Sequence, residues 1–217
     1  MKIEIGNQKP DHFTANWPGE YDVFSHFEFA CGIPHPLFAI TTIKENGKPN
    51  VCFGSWTSFT GDGGGYYAIT SCMQRTHTYQ NILRTKEFVI NFLSKEYFDA
   101  CVATIRHNDH DADEFEVGHF TIQESKTVAS PRIEEAFLNI ECSLQQTLDL
   151  SGNGRNATII GKVNHIAMQE EYATGIDDKY GENGFMFNIN SPKNLITGEG
   201  QASAVAVCKV ALINEEG

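Results

Sequence analysis

The chain has no run approaching the eighteen or so apolar residues that a membrane-spanning helix requires. Its opening residues, MKIEIGNQKPDH, contain no apolar stretch of the kind that directs export, so the expected address is the cytoplasm. None of the six cysteines, Cys31, Cys52, Cys72, Cys101, Cys142 and Cys208, stands in a C-x-x-C pair. Scattered in this way, they are expected to be reduced core or site-lining thiols and not a disulfide framework. Positive charge is scarce: 16 Lys and Arg face 28 Asp and Glu, a net charge of −12 with no concentrated basic patch. A surface of that sign repels phosphate backbones, which argues against nucleic acid as a partner. Internal repeats, low-complexity linkers and a Walker phosphate loop are also missing. With 217 residues, 41% of them hydrophobic, the chain has enough apolar material to bury one full core without staples.

Three stretches mimic functional motifs and fail on inspection. Gly152-Asn153-Gly154-Arg155-Asn156-Ala157 has the spacing of a dinucleotide fingerprint, but the strand formers TIIGKV follow it where a helix is required, so a β-hairpin turn is expected. Gly61-Asp62-Gly63-Gly64-Gly65 likewise precedes a strand and has no phosphate-loop lysine. Asp109-x-Asp111-x-Asp113 opens like a calcium loop, yet Glu114 stands at the position that needs glycine and Phe120 at the position that needs a carboxylate. His107, His110 and His119 match no standard zinc spacing, so the stretch RHNDHDADEFEVGHF is expected to be a solvated loop with no metal.

The remainder reads as mainly β. Runs of β-branched and aromatic residues between turn signals predict strands over Leu37–Ile43, Val51–Phe59, Tyr66–Thr70 and Phe88–Phe92, then Asn139–Asp149, Ala157–Ala167 and Ala202–Leu212. Asn46-Gly47, two residues that tolerate positive φ, predicts a two-residue turn pairing the first two strands. Tyr79, Ile82 and Leu83 share one face of a helix over Thr78–Lys86. Ser94 is placed to cap a second helix running to Arg106, with Phe98, Cys101, Val102 and Ile105 as its apolar stripe. Residues 1–30 form an aromatic-rich, irregular arm expected to lie across the barrel or on a partner subunit.

One order of motifs runs through these elements: the N–G turn, Asn50-Val51, Gly54-Ser55-Trp56, Ser71, Arg75, Thr78-x-x-Asn81-Ile82 and Glu87-Phe88-Val89-Ile90-Asn91. A second block comprises Val128-Ala129-Ser130-Pro131-Arg132-Ile133-Glu134-Glu135-Ala136, Ile140-Glu141-Cys142 and Ile160-Gly161-Lys162-Val163. Together they resemble the flavin reductase-like, FMN-binding split-barrel family of flavoredoxin type, over roughly residues 30–190. The resemblance implies a Greek-key split β-barrel with a few short helices. It divides a single domain, 1–217, into the arm 1–30, a barrel core 31–190 and a C-terminal segment 191–217. It also implies a homodimer with its sites at or near the subunit interface.

Flavin mononucleotide makes two separate demands on such a chain. Its phosphate suits hydroxyls, amides, a helix N-terminus and a cation, and Ser71, Cys72, Arg75, Thr76 and Thr78 stand just before and at the start of the first helix. From spacing alone Thr76 or Thr78 serves equally as an N-cap and Arg75 as a surface charge; the resemblance favours phosphate contact. Cys72 is the one thiol placed to be reactive, and a structural role is the expected reading. The isoalloxazine ring suits a flat wall with donors at its polar edge. Gly54 would let the ring approach the backbone, and Ser55 and Thr57 would share a face of an unbroken strand, with Trp56 and Ser58 on the other.

In the family the residues matching Asn50 and Trp56 lie against the flavin, although a strand tryptophan is also an ordinary core residue. By the same resemblance Lys126 and His165 fall where a basic residue and an imidazole reach the cofactor, against readings as a surface lysine and an ordinary strand residue. Phe185 and Phe187 would close over the ring or pack in the core. Many family members carry a Pro-Pro pair after the Ser-Trp strand, where this chain has Thr60-Gly61-Asp62-Gly63-Gly64-Gly65. The implied function is oxidoreduction in which electrons enter the flavin from NAD(P)H or a redox protein and leave to an acceptor. FAD would serve in place of FMN, and no catalytic acid, base or nucleophile of the protein is required. The alternatives are an electron carrier without pyridine-nucleotide turnover and a flavin- or haem-binding sensor module.

Overall fold

A computed structural model describes residues 1–174, 179–190, 194–200, 203–211 and 213. The arm carries two short helices, α1 (Glu20–Val23) and α2 (His26–Cys31), and leads to β1 (Pro34–Pro36). The hairpins β2 (Phe38–Ile43) with β3 (Pro49–Gly54) and β4 (Thr57–Asp62) with β5 (Gly65–Met73) precede α3 (His77–Thr85) and β6 (Glu87–Phe92). A 3-10 turn (Lys95–Tyr97), α4 (Phe98–Arg106) and α5 (Glu114–Gly118) follow, then the ribbon β7 (Ile122–Gln123) and β8 (Arg132–Ile133). The chain ends with β9 (Leu138–Leu148), β10 (Asn156–Met168), α6 (Glu170–Ala173), β11 (Met186–Asn190) and β12 (Ser203–Val207). Residues 202 and 212, the expected ends of the last strand, lie outside the described residues. No described helix is long and apolar enough to cross a membrane.

Seven strands form an antiparallel sheet in the order β3-β2-β6-β9-β10-β5-β4, and β1, β11 and β12 form a small second sheet. The central strands FAITTI and EFVINF are buried on both faces, which explains their near-continuous apolar character. One face closes on Phe38, Ile40, Phe88, Ile90, Phe92, Ile140 and Ile159 inside the barrel. The other packs Ala39, Val51, Leu93 and Ile133 against Cys101, Phe115 and Phe120 beneath α4 and α5.

Turn chemistry sets the connections. The first hairpin closes around Glu45-Asn46-Gly47, with Lys44 N–H donating to the Lys48 carbonyl at 2.8 Å and Gly47 at φ +82°. The expected pairing is present, through a three-residue loop with glycine at its left-handed position and not a two-residue turn. Gly152 and Gly154 turn the β9–β10 hairpin, their amides donating to the Asp149 carboxylate at 2.8 Å each. That fingerprint look-alike is a hairpin loop, as expected. Gly63 and Gly64 form the two-residue loop between Asp62 and Gly65.

Three expectations need correction. The strand predicted over Val51–Phe59 is broken at Ser55-Trp56, where Trp56 adopts φ +61°. Ser55 and Thr57 therefore do not share the face of one strand: Ser55 is buried, while the Thr57 hydroxyl donates to the Ile69 carbonyl at 3.1 Å. Ser94 precedes the 3-10 turn and makes no capping bond; its hydroxyl donates to Glu96 at 3.1 Å. The charged stretch after Arg106 is an exposed, irregular loop only over residues 107–111 and not along its whole length. Asp113 accepts from the Phe115 and Glu116 amides to start α5, and Glu114 is 1% exposed.

Close approach inside the sheet constrains one glycine. A Cβ on Gly161 of β10 would lie 2.5 Å from Phe88 Cζ and 3.0 Å from Cys142 Cβ, at a bulge against β9. Gly161→Ala is expected to cost about 1–3 kcal/mol by overpacking, read as a lower urea midpoint with an unchanged m-value. An unshifted midpoint would mean that the fully buried Phe88 ring moves aside freely.

Candidate functional site: a cavity along the open edge of β3

β3 is the last strand of its sheet, and a cavity of about 530 Å³ lies along its unpaired side. Asn50, Val51, Cys52 and Phe53 form one wall. The segment Arg75–Thr78 closes one end, and Thr104, Ile105, Asn108 and Glu114 line the side formed by α4, the loop after it and the first residue of α5. Met73 contributes from β5.

The Arg75–Thr78 end is built by local capping. The Thr76 hydroxyl donates to the Met73 carbonyl at 2.8 Å and accepts from the Tyr79 amide at 3.3 Å, making Thr76 the N-cap of α3. Asn50 donates to the Thr78 hydroxyl at 2.9 Å, which ties β3 to the first turn of the helix. The amides of His77 and Thr78 have no acceptor within the helix. The Arg75 guanidinium is exposed and forms no ion pair among the described residues. The cavity thus ends in a helix N-terminus, a free cation and hydroxyls, the donor set an anion takes.

The wall is set by the edge strand. Val51 N–H donates to the Glu114 carboxylate at 2.7 Å and so points away from β2. In an antiparallel ladder the residue two positions on repeats that direction, so Phe53 also turns its amide to the open side. Glu114 is ion-paired at 2.8 Å to Lys44, itself 2% exposed and donating to the Asp109 and Ala112 carbonyls at 3.1 and 2.9 Å. Burial raises the Glu114 carboxyl above its usual range against the opposing pull of Lys44, the Val51 amide and His77.

Beneath Arg75–Thr78 lie two thiols. Cys72 Sγ is 3.0 Å from Thr76 Oγ1, and Cys52 lines the cavity from β3. Cys52 held below its ordinary value by hydrogen bonding from Cys72, and further by Thr78, overcomes burial and the Glu114 charge. Cys72 is raised by the same contact with Cys52 and by burial.

A second hollow of about 300 Å³ lies under the arm, lined by Phe24, Glu28, Trp56, Ser71, Asn156 and Thr158 among others. Phe24 packs on the Trp56 indole at 4.4 Å between centroids. Trp56 Nε1 and Glu28 Oε2 are buried without a hydrogen-bond partner among the described residues. A tryptophan at positive φ is a strained conformation that its surroundings must hold in place.

Burial pushes the Glu28 carboxyl up to about 7 from 4.5, opposed by a backbone contact at Ser25. The raised value means that Glu28 favours the folded arm below pH 4.5 and that this contribution is lost as pH rises to about 7. Glu28→Gln is expected to raise the melting temperature at pH 8 and to have no effect at pH 4. Equal shifts at both values would show that the carboxylate is solvated.

Of the residues read from the sequence, the structure brings Asn50, Arg75, Thr76 and Thr78 together at the first cavity, with Cys72 directly behind Thr76. Gly54 ends β3 beside it, while Ser55 accepts from Asn188 at 3.4 Å. Trp56 and Ser71 line the second hollow, and Thr57 and Ser58 begin the edge strand β4. Lys126, His165 and Phe185 line neither cavity. Lys126 donates its amide to Glu141 at 2.8 Å with its side chain exposed, and His165 stands opposite Glu141 in the sheet. Phe185 packs into the barrel on Phe92 and Phe137, at 5.2 and 5.0 Å, and Phe187 lies in the small sheet opposite Pro36. Phe53, Cys52, Glu114 and Asn108 were not anticipated. The edge position of β3 would have pointed to the first two, but nothing local marks the others.

The family model described as flavin reductase like domain matches residues 30–182. The chain belongs to this flavin reductase-like family. An uncharacterised protein of Aquifex aeolicus is 32% identical over 116 residues, 52% of this chain and 59% of that protein. The chain thus matches less than two thirds of that relative's length. Two solved structures share the fold. A Shewanella frigidimarina protein assigned as a flavin reductase with a split barrel domain has a TM-score of 0.70 at 18% identity, covering 91% of this chain and 94% of that one. Flavoredoxin of Desulfovibrio vulgaris has a TM-score of 0.64 at 18% identity, covering 84% and 91%. The mainly β, split-barrel architecture is thereby shown.

Proposed function

We propose that the protein binds FMN in the cavity along β3 and acts as a flavin-dependent oxidoreductase, accepting electrons from NAD(P)H or a redox protein and passing them to an acceptor. The observation that carries this reading is a single cavity with an anion-binding end and an amide-lined edge. The donor set fits the group. Arg75 and the α3 N-terminus would hold the phosphate, with the Thr76 and Thr78 hydroxyls fixing that turn. The Phe53 amide would meet the polar edge of the ring, and Met73 and Ile105 would give it apolar surface. Bound flavin supplies the hydride and electron transfer. The chain's part is orientation, exclusion of water and neutralisation of charge. Lys44 serves the last by balancing Glu114, so that the carboxylate does not repel an anionic ligand.

The proposed assembly is a homodimer. Ile166 and Met168, 46% and 40% exposed beside His165 on the outer face of β10, give an apolar patch for a second copy. The test is the visible spectrum of extensively dialysed protein, supplemented with FMN and then treated anaerobically with NADH and NADPH. Flavin absorbance bleached by one nucleotide is the expected result. Flavin absorbance that neither nucleotide bleaches would assign an electron carrier fed by a redox protein. A protein that takes up no FMN would overturn the reading.

A further inference from the structure

The hollow of about 300 Å³ under the arm brings together two orphaned polar groups of opposite kind. Trp56 and Glu28 both line it, and Trp56 Nε1 and Glu28 Oε2 are buried with no hydrogen-bond partner among the described residues. An indole N–H only donates and a carboxylate only accepts. Buried groups of either kind are costly to leave unpaired, so the wall of this hollow is short of one acceptor and one donor. Phe24 and Trp56, 4.4 Å apart between ring centroids, make the same wall aromatic. Ser71 of β5 and Thr158 of β10, opposite one another in the sheet, also line the hollow. The hollow adjoins the cavity along β3. Ser71 and Met73 are both half-buried on either side of the buried Cys72, and so share one face of β5. Met73 lines the cavity and Ser71 the hollow, two positions apart on a strand that rises about 3.3 Å per residue.

We propose that this hollow reads the carboxamide of a pyridine nucleotide, the Trp56 indole N–H donating to the amide oxygen and the Glu28 carboxylate accepting from the amide NH2. A primary carboxamide carries one acceptor and one donor on a single planar centre, which is what the two orphaned atoms lack. Mounted on a flat ring it also suits the Phe24–Trp56 wall. The volume is at the small end of ligand pockets, so it takes the substituted ring and leaves the rest of the dinucleotide outside. Trp56 sits at φ +61°, a conformation held at a cost, which fits a side chain whose position matters for recognition. The inference rests on the proposed flavin site for its purpose, since it sets the ring beside that cavity, whereas the two orphaned atoms do not depend on it.

Isothermal titration of the full-length protein at pH 8, where Glu28 is ionised, tests this with NAD⁺, NADP⁺ and the 3-acetylpyridine analogue of each. The analogue keeps the carbonyl and carries a methyl group in place of NH2, so it lacks only the donor. The natural nucleotide is expected to bind about tenfold tighter than its analogue, the value of one hydrogen bond to a charged group. Glu28→Met is expected to abolish that preference, and Glu28→Gln, whose amide carbonyl still accepts, to keep most of it. Trp56→Phe is expected to weaken nucleotide and analogue alike, because both present the carbonyl. Equal binding of nucleotide and analogue by the wild type would overturn the proposal. So would a preference that survives Glu28→Met, an equal fall of both ligands in that variant, or no binding of either natural nucleotide. Titrations with and without FMN keep the two readings apart. FMN uptake without an amide preference removes the ligand of the hollow and leaves the flavin cavity standing. An amide preference in a protein that takes up no FMN removes the flavin reading and leaves the hollow.

Discussion

Lys44→Met is expected to destabilise the protein by about 3–5 kcal/mol, because it strands the Glu114 carboxylate in a site that water does not reach. The pair is 2.8 Å apart, with side chains 2% and 1% exposed. Lys44 also donates to two carbonyls of the 109–112 segment, so its loss releases the turn that leads into α5. Glu114 would respond by taking up a proton, and the loss should therefore be smaller in acid than at pH 8. The double variant Lys44→Met/Glu114→Gln keeps an acceptor for the Val51 amide and removes the stranded charge, and most of the stability is expected to return. Urea unfolding of the two single variants and the double variant measures the coupling. A loss under about 1 kcal/mol for Lys44→Met, the range of exposed pairs, would show that water reaches the site after all.

This pair also marks where the sequence stops being readable. HNDHDADEFEV carries the local signature of a solvated loop throughout, and the partner of the buried Glu114 in its second half is Lys44, in a different hairpin. No periodicity relates the two. The strands were legible because a β-branched run between turn residues is a local signal, and β9 and β10 fall within one residue of their expected ends. The break at Trp56 was not, since a bulky residue at positive φ is chosen by its surroundings, here the Phe24 ring from the arm. The same distinction governs the site. Arg75, Thr76 and Thr78 stand close in sequence at the start of a helix capped by Thr76 whose apolar face is readable, so their grouping was legible. Asn50 and Trp56 came from family likeness, and they lie at different hollows.

Arg75→Gln is expected to weaken FMN binding by roughly 10- to 100-fold, the value of about 1.5–3 kcal/mol for a hydrogen bond to a charged group. Riboflavin, which presents the same ring without the phosphate, is expected to bind wild type and variant alike. The comparison separates two uses of the cavity that a single affinity would confuse. Arg75 is exposed and unpaired among the described residues, so its removal strands no buried charge and leaves the fold intact. Thr76, by contrast, caps α3 and holds Cys72, so its truncation would mix stability with recognition. The wild-type preference for FMN over riboflavin should also shrink as salt rises, because the guanidinium at the cavity mouth is screened by solvent ions. Fluorescence titration of both ligands at two ionic strengths supplies all four numbers. Equal weakening of FMN and riboflavin by Arg75→Gln would sink the assignment of this end of the cavity to the phosphate. It would instead place the arginine beside the ring, with the phosphate held elsewhere along β3.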